Sequence, residues 1–263
     1  MSEPTIIECI QGDPTWMQCR LGVTTSSRVA DCVSFEGIGK GTLKRKSGDR
    51  KKGDESKTRE NLKIELAGEI LTGKLSEHYV SKWMEEGREK EQFARAAYEF
   101  IKGAQTLQIG FAYHPKIKMG GCSPDAIVGP EGGAEFKCPK TETHLRYLTA
   151  GIVPKEYLPQ MYWQMACMGW EWNDFVSHDP SFKQSKHRTL IVRLHRDDKI
   201  ISAMEEQVMR FNDEVQEYIL KLDPDYLLTK LKASVDHVKK QKAQQQDASM
   251  LIQDEDFKYL CPR

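Results

Sequence analysis

The stretch that most constrains this chain is residues 120–138, GGCSPDAIVGPEGGAEFKC. Two short apolar segments flank the turn-forming run Gly129-Pro130-Glu131-Gly132-Gly133, a pattern that predicts a β-hairpin. Asp125 follows a proline on the first arm, and Glu135, Phe136 and Lys137 stand on the second. Side chains along a strand alternate between faces, so Glu135 and Lys137 point one way and Phe136 the other. The turn can fold Asp125 back beside that pair. Two carboxylates and one ammonium then converge from apolar strands, where charge is costly to bury without a partner or a task.

Such a group suits metal-assisted hydrolysis of a phosphodiester. Hard divalent cations such as Mg²⁺ take carboxylate oxygens and keep waters at their remaining positions. A second ion roughly 3.5–4 Å from the first can stabilise both attacking and leaving oxygens. A lysine beside the cations orients the attacking water and, with its pKa lowered by their charge, helps take its proton. The plainer reading makes Asp125 a turn cap and Glu135–Lys137 a same-face surface ion pair. A Pro-Asp ten residues upstream, across a turn, favours the chemical reading.

Charge gives no independent hint of nucleic acid. Basic and acidic residues number 39 each, so a nuclease would need a locally basic channel offset by acid elsewhere. The seven cysteines form no CxxC pair and are odd in number, which predicts free thiols in a reducing compartment and argues against a zinc or iron–sulfur site. The N-terminus MSEPTIIECI does not read as a signal peptide, and no apolar run approaches the ~18 residues of a membrane span. A soluble, cytoplasmic protein is expected, with no membrane partner.

Along the chain, Thr24-Thr25-Ser26-Ser27 reads as a helix N-cap, with a helix beginning near Ser26 or Ser27. Hydroxyls and free amides there, with Arg20 nearby, make a candidate anion pocket; the simpler alternative is a cap and a surface pair. Residues 38–58 are rich in Gly, Lys and Arg without apolar periodicity, and read as a basic flexible loop. Helices follow at about 59–72 and 76–101. The second carries an inward stripe Trp83, Gly87, Glu91, Ala94, Tyr98, which offers Glu91 as a third acidic ligand or as the buried partner of an arginine. A strand is expected over 105–119, then the hairpin, then loop from Lys140 to Pro154. An apolar helix at 156–170 sets Gln160 and Gln164 one turn apart. Gln160 could hold the lysine or a bound water, or simply sit at the core edge. Strands at 174–178 and 188–195 and a long helix at 197–222 complete the domain, and 223–263 reads as a polar C-terminal extension.

The order helix–strand–hairpin–strand–helix with PD…ExK resembles the restriction-endonuclease-like PD-(D/E)xK nucleases: an α/β (α+β) fold, a central mixed β-sheet flanked by helices. Within that group the chain is similar to the phage λ-type alkaline exonucleases, or YqaJ-like viral recombinases, across about residues 14–222. WMQCRLGVTTSSRV, EGREKEQFAR, GCSPDAIVG, AEFKCPK and EYLPQMYWQM carry the likeness. The resemblance implies Mg²⁺-dependent, two-metal 5′→3′ digestion of duplex DNA ends, with Mn²⁺ an alternative metal, leaving 3′ overhangs for a single-strand annealing recombinase. It makes Asp125, Glu135 and the Phe136 carbonyl metal ligands, with Glu91 near the second ion. It assigns Lys137 as the catalytic lysine, Gln160 as its support, and Arg20 and Ser27 to the 5′-phosphate. It also implies a homotrimeric ring, of phage or prophage origin, inside a host cell. The basic loop and the tail after about 223 have no counterpart in it. An endonuclease or repair nuclease of the same fold, or a non-catalytic DNA-end-binding protein, are the alternatives.

Overall fold

The computed structural model describes residues 3–33, 55–76 and 82–229, with the side chains of 82–89 left aside. The basic loop over 38–54, the start of the second helix before residue 82, the side chains of Trp83 and Gly87, and the tail beyond 229 lie outside what is described. Two compact units emerge, Met1–Val215 and Gln216–Arg263. In the second, only the end of a long helix, a turn with Tyr226 N–H donating to the Asp223 carbonyl at 3.1 Å, and the helical residues 226–229 are described.

The hairpin is present where the turn residues require it. Strands β5 (Ala126–Val128) and β6 (Gly132–Lys137) pair antiparallel, with Ala126 opposite Ala134. Gly129 takes the left-handed backbone conformation, φ 63°, that a side chain would resist. A Cβ on Gly133 would come within 2.1 Å of the Trp170 ring, so this strand needs a glycine where the indole packs flat against it. β6 then pairs parallel with β7 (Trp172–His178), and β7 pairs antiparallel with β8 (Thr189–His195), giving the order β5-β6-β7-β8.

A parallel pair cannot be joined by a tight turn. The connection from β6 to β7 runs through two helices, α5 (Thr141–Ala150) and α6 (Leu158–Met168). α5 corrects the sequence expectation of a loop from Lys140 to Pro154. Leu145 is exposed, and of this helix only His144 is buried; its imidazole bonds the Ser177 hydroxyl (2.7 Å) and the His187 carbonyl (2.9 Å). The helix is thus anchored by a polar side chain, and apolar periodicity cannot report it.

The remaining strands form a second four-stranded sheet, β1-β3-β4-β2, built from β1 (Thr5–Ile7), β2 (Thr24–Thr25), β3 (Phe111–Tyr113) and β4 (Gly120–Cys122). The α/β class is therefore as expected, with its mixed pairing divided over two sheets. The hydroxyl run does not cap a helix. Thr24 and Thr25 pair parallel with Gly120 and Gly121 as β2, and the short helix α2 (Val29–Cys32) has no side-chain cap. The strand expected over 105–119 is shorter, since Leu107 makes only an isolated bridge to Ile127.

Helix α1 (Pro14–Arg20) is capped by Asp13, which accepts from Trp16 N–H at 2.6 Å. Helix α3 (Lys57–Thr72) is capped by Ser56 and closed by Gly73 in the left-handed region. Helix α4 (Lys82–Lys102) lays Ala94 and Tyr98 on Ala126, Ala134, Phe136 and Val176 of the hairpin sheet. Tyr98 also donates to Asp174 (2.9 Å), a fully buried carboxylate gripped by the Arg193 fork at 2.8 and 2.9 Å. α6 serves both sheets. Trp163 stacks on His114 and donates to the Gly121 carbonyl at 3.1 Å, while Met161 packs with Phe175. The last helix, α7 (Asp198–Leu222), buries Ile201, Val208, Phe211 and Val215, and Glu214 pairs with Arg59 of α3 at 2.7 Å.

Candidate active site

The Ala126–Ala134 register sets Asp125 one step outside β5, across from Glu135. Asp125 Oδ2 accepts the Phe136 backbone N–H at 2.7 Å. Phe136 points to the opposite face, edge-on to Tyr98 with ring centroids 5.8 Å apart. Glu135 and Lys137 share the other face and are bonded, Lys137 Nζ donating to Glu135 Oε1. The trio read from sequence is assembled, through strand alternation and one turn.

Glu135 is 1% exposed, and donors occupy both of its oxygens. Gln160 Nε2 donates to Oε1 at 2.5 Å, and Gln164 Nε2 to Oε2 at 2.6 Å. Gln164 is itself fully buried and accepts from Asn173 Nδ2 of β7 at 2.7 Å. Gln160 was expected as a support for the lysine. It reaches Lys137 through the shared Glu135 oxygen. Gln164 and Asn173 were not expected, although Gln164 lies one turn after Gln160 on the same helix face. That spacing was the available signal; the target of the face was not.

Glu91 of α4 is about a quarter exposed and pairs with Arg95 at 3.4 Å. Arg95 also donates to the Asp125 carbonyl at 2.5 Å and to Thr106 Oγ1 at 3.2 Å. Of the two readings of Glu91, the arginine partner is the one seen: it pairs with Arg95, and that arginine ties it to the Asp125 backbone. The i,i+4 spacing of Glu91 and Arg95 is visible in the sequence.

Electrostatics bind these groups together. Burial first, then the charges of Glu135 and Glu91, push the Asp125 carboxyl well above its usual range. Burial also raises Glu91, with Glu135 adding repulsion and Arg95 opposing it. Burial alone would lower Lys137, but Glu135 and Asp125 outweigh it and hold the ammonium above the ordinary lysine value. A lysine lowered by neighbouring cations is thus not what the protein's own groups produce. Three carboxyl groups crowded in a partly buried site, with like charge opposing ionisation, are hard oxygen donors of the kind that suit a divalent cation. Among the described residues no group of three or more His, Cys, Asp or Glu side chains is placed to hold a metal ion by itself. Mg²⁺, which keeps several waters and uses one or two carboxylates, does not require one.

Arg20 lies buried at the end of α1 against the Trp16 ring, 4.3 Å from its centroid. Its guanidinium donates to the hydroxyls of Ser123 (3.3 Å), Thr25 (3.3 Å) and Ser27 (3.2 Å). Arg20 and Ser27 are thus brought together as expected, though by a strand and not by a helix start. Thr25, from the same hydroxyl run, joins them as expected; Ser123 and Trp16, whose indole N–H donates to Ser123 Oγ at 2.8 Å, complete the cluster and are not foreseen from the sequence. Ser123 stands two residues before Asp125, so the sequence SPD links this basic pocket directly to the carboxylates.

Residues 15–171 match the family model described as the YqaJ-like viral recombinase domain. The crystal structure of an alkaline exonuclease (LHK-Exo) from Laribacter hongkongensis is similar with a TM-score of 0.69 at 33% identity, covering 82% of this chain and 100% of that one. LHK-Exo in complex with dAMP gives 0.68 at 34% identity, covering 83% and 100%. A phage related exonuclease from Haemophilus somnus 129PT shares the fold, with a TM-score of 0.53 at 16% identity over 76% of this chain and 96% of that one. No curated protein matches the chain.

Proposed function

The chain belongs to the YqaJ-like viral recombinase domain family, and from that premise we propose that it is a metal-dependent exonuclease that digests the 5′-ended strand from duplex DNA ends. The observation that carries the reading is Glu135, held at both oxygens by Gln160, Gln164 and Lys137 beside Asp125. A buried carboxylate clamped this fully is preorganised for one geometry.

Asp125, Glu135, the Phe136 carbonyl and Glu91 would hold two Mg²⁺ ions, or Mn²⁺ in their place. When bound, the metal supplies Lewis-acid stabilisation of charge on the attacking and leaving oxygens. Lys137 Nζ, kept protonated by Glu135 and Asp125, hydrogen-bonds the attacking water or a non-bridging phosphate oxygen and sets the line of attack on phosphorus. Gln160 and Gln164 stop the Glu135 carboxylate from turning away when substrate arrives. The new bond is water oxygen to phosphorus, and the bond broken is phosphorus to the 3′-oxygen, so each cycle releases a nucleoside 5′-monophosphate.

Polarity follows from Arg20. A guanidinium with Thr25, Ser27 and Ser123 hydroxyls around it suits a terminal phosphate, and a 5′-phosphate held there presents the next linkage to Asp125 and Glu135. The product is a 3′ overhang for a single-strand annealing recombinase. The same reading carries a ring of three copies threaded on DNA in the cytoplasm of a phage-bearing host, with residues 1–222 as the nuclease domain.

The test is digestion of one linear duplex, labelled at either end, with and without 5′-phosphate, in Mg²⁺ and in EDTA. The expected result is metal-dependent loss of label from the 5′ end, faster with phosphate. Loss from the 3′ end, or cutting of a closed circle, would move the protein to another nuclease class of this fold.

A further inference from the structure

A cavity of about 270 Å³ opens where the chain leaves β6. It is lined by Cys138, Pro139 and Lys140, the residues that follow Lys137. Lys90 and Phe93 of α4, which bracket Glu91, also line it, as does Asp179. The cavity therefore adjoins the reaction centre on two independent elements. Both lysines are exposed. Phe93 is 69% exposed, an aromatic ring at the cavity wall left largely uncovered. The Asp179 carboxylate is already engaged, accepting from Thr141 Oγ1 at 2.7 Å and from Ser181 N–H at 2.9 Å.

Two cations and an uncovered ring, with half-buried Cys138 and Pro139, form a chemically mixed site, unlike the apolar grooves that receive protein segments. The volume falls just below the ~300 Å³ lower bound of pockets for drug-sized ligands, which suits one nucleotide unit and excludes a duplex. We propose that this cavity is a nucleotide subsite, with the base stacked on Phe93 and the phosphate between Lys90 and Lys140. The inference rests on the nuclease reading above and adds to it a named place for the base. The unit bound can be the end of a DNA strand or a free nucleoside monophosphate; both present the same base and phosphate.

The full-length protein, in EDTA, would be titrated with a deoxynucleoside 5′-monophosphate and with deoxyribose 5-phosphate. Phe93→Ala is expected to weaken the nucleotide about tenfold and leave the base-free sugar phosphate unchanged, since stacking acts on the base alone. Phe93→Tyr should retain binding, and the Lys90→Ala/Lys140→Ala pair should weaken both ligands. Under digestion, a raised KM for linear duplex with kcat kept assigns the unit to the DNA strand. Weaker inhibition by added monophosphate, with KM unchanged, assigns it to released product. Wild-type nucleotide binding in Phe93→Ala, or an equal loss of both ligands in that variant, overturns the subsite whatever the nuclease assay gives. Phe93-dependent nucleotide binding in a protein that digests nothing would instead sink the nuclease reading and leave the subsite standing.

Discussion

Gln164→Leu is the substitution that most directly tests how the site is built. Leucine has nearly the volume of glutamine, so the change removes hydrogen bonds without opening a cavity. It strips Glu135 Oε2 of its donor and leaves Asn173 Nδ2 without its acceptor, both within a fully buried layer. A charge-assisted bond is worth about 2 kcal/mol and an unmet buried amide about 1 kcal/mol, so the expected loss is about 3 kcal/mol. In a domain of this size that lowers Tm by about 6–12 °C. Gln160→Leu should cost less, because Gln160 is partly exposed and Lys137 still serves the same oxygen. Activity should fall about 10–100-fold in Gln164→Leu, the usual effect of losing a partner behind a metal-binding carboxylate, with a higher Mg²⁺ requirement. Adding Asn173→Leu should restore part of the stability and none of the activity, since both unmet amide partners are then apolar while Glu135 stays unclamped. Chemical denaturation and a Mg²⁺ titration of the digestion rate read out the two effects. A stability loss equal to that of Gln160→Leu, with unchanged Mg²⁺ dependence, would refute the clamp.

Asp125→Asn should abolish digestion yet raise Tm in the absence of metal, because the amide still accepts from Phe136 N–H and no longer meets the charges of Glu135 and Glu91; a lowered Tm would contradict the crowding described here. Arg20→Lys keeps one positive charge but loses the fork that reaches three hydroxyls, so the rate advantage of 5′-phosphorylated over 5′-hydroxyl ends should shrink at least several-fold; an unchanged ratio places the phosphate elsewhere. Glu214 is held down to about 2 by its hydrogen bonds to Arg59 and then Lys63, against burial. Its contribution is complete above the ordinary carboxylate range, about 4.3, and is lost as pH falls from there through about 2. Glu214→Gln should therefore flatten the acid arm of stability between pH 5 and 3, as followed by urea midpoints, and leave the neutral arm parallel to wild type.

Local pattern carried much of the site. The Gly129-Pro130 turn, the alternation of Glu135, Phe136 and Lys137, and the Pro-Asp upstream were sufficient to assemble Asp125, Glu135 and Lys137, because hairpin register depends on a few neighbouring residues. The inward stripe of α4 likewise located Glu91 correctly with Ala94 and Tyr98. The hydroxyl run at 24–27 supplies a strand and not a helix cap for the opposite reason. Its threonines favour a cap or a strand about equally by themselves, and the deciding partner, Gly120–Gly121, lies far along the chain. Helix α5 escaped because His144, not an apolar stripe, fastens it to Ser177 and the His187 carbonyl.

By itself, then, the sequence determined the meeting of Asp125, Glu135 and Lys137, the free thiols of the described cysteines, the α/β class and the long amphipathic helix, since each depends on side-chain periodicity, turn chemistry or composition over short range. Only the tertiary structure decided that the strands divide into two sheets, that Gln164 and Asn173 lock Glu135, that Arg95 joins Glu91 to the Asp125 backbone, and that Ser123 and Thr25 complete the Arg20 cluster. Those contacts join residues up to about a hundred positions apart, as Arg20 and Ser123 are. Hydrogen bonds between distant polar side chains have no periodicity of their own; they exist because packed helices and sheets deliver donor and acceptor to the same few ångströms.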